Sequence, residues 1–121
     1  MERLYAVRGA VTVDADTREQ VVERTQSLLK ELLGRNKIDR ERIVSVFFTA
    51  TDDIHAEFPA AAARLMGLDG VPLICAREMD VKSALAMPRC IRVLMNVYSI
   101  EPPEAVYLGD TVRLLDRPDP A

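Results

Sequence analysis

The sequence predicts an α+β fold. It is one domain, with a mixed β-sheet carrying helices on one face and elements in the order β-α-β-α-β-β-β. Three observations lead there. Two stretches, one near each end of the chain, alternate apolar and other residues at the two-residue period of a strand. A stretch after the first of them repeats its apolar residues at helical spacing. The chain, 121 residues long, 49% hydrophobic and 29% charged, has the size and composition of a single globular domain.

The first strand is LYAVRGAVTV, residues 4–13. Tyr5, Val7, Gly9, Val11 and Val13 share one face; Ala6, Arg8, Ala10 and Thr12 share the other. Residues 16–34 form the clearest helix. Asp16 or Thr17 can cap it, with Glu19 or Gln20 three residues on. Val21, Val22, Leu28, Leu29, Leu32 and Leu33 form its core stripe, and Gly34 is placed to end it. IVSVFFTA, residues 43–50, is rich in β-branched and aromatic residues and reads as the second strand. Residues 51–67 read as a turn and a helix, with Thr51, Asp52 and Asp53 as caps, Pro59 in the first turn and Gly67 at the end. VPLICAREM (71–79) is the third strand. Residues 89–97 are the fourth, with Ile91, Val93, Met95 and Val97 on one face and Cys90, Arg92, Leu94 and Asn96 on the other. Residues 106–115 read as a turn and a last short strand, closing a domain over 1–115. The proline-rich 116–121 is expected to be a mobile tail.

Composition narrows the function. No run of about 18 apolar residues is present, so no transmembrane helix is expected. The N-terminus lacks signal-peptide features, and two cysteines, Cys75 and Cys90, are too few for a disulfide framework. A cytoplasmic location with free thiols is the expectation. The net charge of −3 argues against nucleic acid as a partner. His55 is the single histidine and no CxxC occurs, which disfavours a His- or Cys-based metal site. The common glycine-rich nucleotide loops are absent. Of 16 basic residues only 3 are lysines, an arginine bias suited to carboxylate binding but also common on surfaces of no special function.

Arg8 and Arg92 each stand among small or neutral neighbours on the sheet face that the helices leave open. A lone arginine there is usually a solvated ion pair. Two of them, with Glu78 at the end of the third strand as a nearby carboxylate and Cys75, Arg77 and Tyr107 as further candidates, suit a small carboxylate ligand. The pattern alone names no reaction.

The stretches VRGAVTV (7–13), TATDDIHAEFPAAAAR (49–64), VPLICAREMDV (71–81), CIRVLMNV (90–97) and VYL (106–108), in this order, resemble the small monofunctional chorismate mutases. These form a trimeric pseudo-α/β-barrel and are distinct from the all-helical mutases. The resemblance covers nearly the whole chain. It implies conversion of chorismate to prephenate by an intramolecular Claisen rearrangement in aromatic amino-acid biosynthesis, with no cofactor and no metal. It also implies a homotrimer with active sites between subunits and no membrane partner. It gives Arg8 a substrate carboxylate, Arg92 the ether oxygen and a carboxylate, Glu78 and Cys75 the ring hydroxyl, and Tyr107 the enolpyruvyl carboxylate. The backbone of Ile74, Cys75, Ala76, Arg77 and Glu78 would line the pocket, and Phe58 and Arg64 of a neighbouring subunit would close it. The loop 98–105 is shorter than in the family, Ala61 replaces a common lysine, and Arg117 is displaced along the tail, so these departures touch the rim. Competing readings are an imine/enamine deaminase of the Rid type, a non-catalytic carboxylate-binding regulatory module, and a structural oligomer whose arginines form only rim ion pairs.

Overall fold

The computed structural model describes residues 1–83 and 86–116. Five strands, β1 (Arg3–Thr12), β2 (Ile43–Ala50), β3 (Leu73–Arg77), β4 (Cys90–Ser99) and β5 (Val106–Tyr107), form one sheet in the order β3-β2-β4-β1-β5. β4 runs antiparallel to β1 and β2, whereas β2–β3 and β1–β5 are parallel, so the sheet is mixed. The helices α1 (Arg18–Arg35) and α2 (Pro59–Leu65) pack against each other and against the sheet. Two 3-10 turns, Arg40–Arg42 and Gly109–Asp116, complete the described chain. Among the described residues no helix is long and apolar enough to cross a membrane.

The alternating strands place the core. Val7, Val11, Val46, Phe48, Ile91, Val93, Met95 and Val97 are buried with Val21, Leu28, Leu29 and Leu32 of α1 and Ala60 and Ala63 of α2. Each fully buried leucine of the α1 stripe contributes about 1.5–3 kcal/mol by leaving water. Gly9 lies where Leu28 of α1 packs against β1. A methyl group there would meet Leu28 Cδ1 at 3.0 Å and Val106 O and Val93 Cγ1 at 3.1 Å. The glycine of the RGA motif is therefore a packing requirement of the scaffold.

Local signals set the helix ends, with three departures from the sequence reading. Thr17 caps α1 by accepting from Gln20 N, and the Gln20 side chain reaches back to Asp14 N and Ala15 N. Asp16 instead accepts from His55 N and Ala56 N, which ties the segment before α2 to the start of α1. The helix runs past Gly34 to Arg35 and is closed by Asn36, whose side chain donates to Leu32 O and Glu104 O. α2 starts only at Pro59. Its ring favours the first helical position and keeps Phe58 extended, so Thr51 and Asp53 lie too far upstream to cap it. The expected final strand is just Val106–Tyr107. Gly109, at φ +63°, turns the chain, and the buried Thr111 hydroxyl donates to Ala10 O or Leu108 O, which holds the following residues as a 3-10 turn. The tail from 117, including Arg117, lies outside the described residues.

The second sheet face is open over most of its area. In-register neighbours across it form one row of Ile74, Phe47, Leu94 and Arg8, and a second of Ala76, Thr49, Arg92, Ala10 and Tyr107. Leu4, Phe47, Ile74 and Leu94 on this face are 38–57% exposed. At one end the face is capped by a small cluster in which Ala10, Met87 and Cys90 are buried against Tyr107.

Candidate active site

The site is built where the second row meets the β3–β4 connection. Glu78 lies just past β3, and its N–H donates to Ala50 O at 2.9 Å, which carries the β2–β3 pairing one residue further. Its carboxylate thus comes over the open face. Oε2 accepts the Thr49 hydroxyl at 2.8 Å, and Arg92 Nε stands 3.7 Å from the same oxygen. Arg92 Nε is out of contact with solvent and has no hydrogen-bond partner among the described residues. At 3.7 Å the pair attracts without a charge-assisted hydrogen bond, which would need about 2.7–2.9 Å. Arg8 faces Leu94 and lies diagonally from Arg92 on the same face, and Tyr107 lies across Ala10 from Arg92. A cavity of about 550 Å³ opens beside this group, lined by Thr51, Asp53, Glu78, Met79, Met87 and Arg92, among others.

The wall of this cavity is set by Thr51 and Asp53. Cys90 N donates to Thr51 Oγ1 at 3.0 Å, and Arg89 N donates to the Asp53 carboxylate at 2.9 and 3.1 Å. Arg89 is in the left-handed region at φ +48°, a conformation costing a non-glycine residue about 1–2 kcal/mol. Its guanidinium also donates to Val13 O at 3.2 Å. These bonds fix the entry to β4 two residues before Arg92. Burial pushes the Asp53 carboxyl up. The Thr51 hydroxyl, the Arg89 N–H and the Arg89 charge outweigh this and hold it below the usual aspartate value.

That shift links the clamp to pH. The folded state holds the Asp53 proton more weakly than the unfolded chain, so the stabilisation is complete above the unfolded value of about 4 and lost as pH falls through the lower folded value. Melting temperatures of wild type and Asp53→Asn, measured from neutral to acid pH, are expected to differ most near neutrality and converge below about pH 4. A gap that stays constant across the range would show that the carboxylate charge contributes nothing.

The other expected site residues lie elsewhere on the protomer. Cys75 is in register with Phe48, so its side chain is on the helix-covered face, while Ile74, Ala76 and Glu78 face the open side. Burial pushes the Cys75 thiol up, against the Ala60 N–H and the Arg64 charge, which places Arg64 near it. Arg77 also turns to the helix side, where it donates to Thr51 O and Ile54 O and ties down the segment after β2. Phe58, 68% exposed, lines a second recess of about 480 Å³ with His55, Cys75, Ala76 and Arg77. Within one chain, then, Arg8, Glu78, Arg92 and Tyr107 share the open face, whereas Phe58, Cys75 and Arg77 line the second recess, with Arg64 near Cys75. The Cys90 thiol lies beside Arg92; burial raises its pKa, and the Arg92 charge opposes that.

The sequence reading placed Thr49 in the second strand and Thr51 and Asp53 as helix caps, all within the stretch 49–64 that carries the resemblance, and gave none of them a role in the site. The one signal for Thr49 was its place on the same alternating face as Phe47.

A mixed sheet covered by helices on one side, with two arginines, a carboxylate and a tyrosine on the other, defines a small α+β protein with a charged open face. The chain belongs to the chorismate mutase type I family, whose model matches residues 4–120. It is 42% identical over 120 residues to the chorismate mutase AroH of Bacillus subtilis, covering 96% of this chain and 91% of that one. It is 43% identical over 118 residues to chorismate mutase AroH of Thermus thermophilus, covering 93% of each. A solved chorismate mutase from Clostridium thermocellum superposes with a TM-score of 0.85 at 39% identity, over 90% of this chain and 98% of that one.

Proposed function

We propose that the protein is an isomerase that converts chorismate to prephenate in aromatic amino-acid biosynthesis, as a homotrimer with its sites between subunits. The observation that carries this reading is Arg92 Nε standing 3.7 Å from Glu78 Oε2, without a close hydrogen-bonded pair, on the open face of a chain of this family. The reaction is an intramolecular rearrangement, so the protein has two tasks. It must hold a flexible dianion in its compact reactive shape, and it must meet the charge that develops as the C–O bond breaks.

Arg8 binds one carboxylate. Arg92 reaches the ether oxygen and a carboxylate; its donor opposes charge that grows in the transition state and so favours that state over the bound substrate. Glu78 holds the ring hydroxyl and keeps the arginine face ordered. Tyr107 contacts the enolpyruvyl carboxylate. Phe58 and Arg64 come from the neighbouring subunit. The separation of Phe58 and Arg64 from Arg92 within one protomer supports this division, because a single chain does not offer both groups to one ligand. The Cys75 thiol faces the helices, so the segment Ile74–Glu78 takes part through its backbone. The tail with Arg117 adds to the rim. The exposed apolar row of the open face supports assembly, since residues of that kind are stabilised by a covering subunit. A cytoplasmic location accords with this chemistry.

The test is the loss of chorismate ultraviolet absorbance on adding purified protein, with the product identified as prephenate. Turnover is expected. A folded trimer that binds a bicyclic dicarboxylate mimic of the transition state but leaves chorismate unchanged would favour a binding module.

A further inference from the structure

Glu78 and Arg92 are opposite charges within reach of each other, yet they do not form the close fork that a carboxylate and a guanidinium prefer. The geometry explains why. The Glu78 backbone is fixed by its bond to Ala50 O, and carboxylate Oε1 accepts from its own neighbour Met79 N at 3.3 Å. The other oxygen, Oε2, is the one that faces Arg92, and it takes the Thr49 hydroxyl at 2.8 Å. Thr49 is the in-register neighbour of Arg92 on β4, so the hydroxyl that holds Oε2 belongs to the same row of the open face as the guanidinium.

We infer that Thr49 is a positioning residue for the rearrangement, its hydroxyl holding Glu78 Oε2 away from Arg92 so that the guanidinium is not locked in a close ion pair with that carboxylate. The inference rests on the mutase reading above. Without the hydroxyl, Oε2 loses its neutral donor and closes on the guanidinium as a charge-assisted pair. Substrate must then break that pair before Arg92 can meet the ether oxygen. Thr49 touches no reacting atom in this scheme and acts only through Glu78.

Thr49→Val removes the hydroxyl and keeps the branched strand side chain. It is expected to lower kcat/KM for chorismate roughly tenfold, the scale of one hydrogen bond to a charged group. Affinity for the bicyclic mimic, measured by calorimetry, should fall by a similar factor while the melting temperature holds. Thr49→Ser, which keeps the donor, should restore most of the rate. Thr49→Ala, which only removes atoms, carries the same test should the valine not fit. In a Glu78→Ala background the further change Thr49→Val should have no effect on rate or affinity. Wild-type turnover with Thr49→Val equal to it would overturn the inference and leave the mutase reading intact. So would a Thr49→Val loss that persists undiminished in the Glu78→Ala background. A folded wild-type trimer without turnover would overturn the mutase reading, and the inference with it.

Discussion

Arg92→Ala is expected to lower kcat/KM for chorismate by about a hundredfold or more, with the larger part in kcat, because the lost donor acts on charge that appears only in the transition state. Steady-state kinetics on the folded variant checks it. Arg92→Lys should recover little. A lysine keeps the charge, but its single ammonium cannot reproduce a planar donor set by β4 and aimed beside Glu78. The fold should tolerate the alanine. Arg92 is half-buried on the open face, with no close salt bridge to lose, so the melting temperature should change little. A variant that loses KM alone would mean that Arg92 only binds a carboxylate.

Phe47→Glu is expected to abolish assembly and activity together. Phe47 sits between Ile74 and Leu94 in the apolar row, and its ring is 45% exposed in the protomer. Burying a charge at that point in a subunit contact costs several kcal/mol unless it is paired. The single chain loses little, because Phe47 points away from the core that Val46 and Phe48 build. Light scattering should then report the monomer mass, circular dichroism an unchanged fold, and the chorismate assay no turnover. A trimer that persists with normal activity would place the assembly surface elsewhere.

What could be read before the structure followed from local rules. The alternation of β1 and β4 separated their faces, and the α1 stripe emerged from spacing alone, as did its cap to within the choice of Asp16 or Thr17. Non-local facts could not be read. Cys75 lies on a short strand and Glu78 just past its end, and the alternation there does not say which face meets the helices; only the pairing of Cys75 with Phe48 does. Thr49 became important through its register with Arg92, fixed by strands more than forty residues apart in sequence. Thr51 and Asp53 looked like caps because such residues often precede helices, but Pro59 reset the helix start and freed them to clamp Arg89 and Cys90. The last strand failed at Gly109, where a positive φ and the buried Thr111 turned the chain.

The central claim is that each active site joins the Arg92 face of one subunit to the Phe58 and Arg64 edge of the next. Complementation tests it most directly. Arg92→Ala and a Phe58→Asp, Arg64→Ala double variant, each of low activity, are co-refolded, and mixed trimers are verified by native mass spectrometry. A shared site gives turnover well above the sum of the two parents, since some interfaces in mixed trimers pair an intact Arg92 with an intact Phe58 and Arg64. Mixed trimers no more active than that sum would contradict a site built from two subunits.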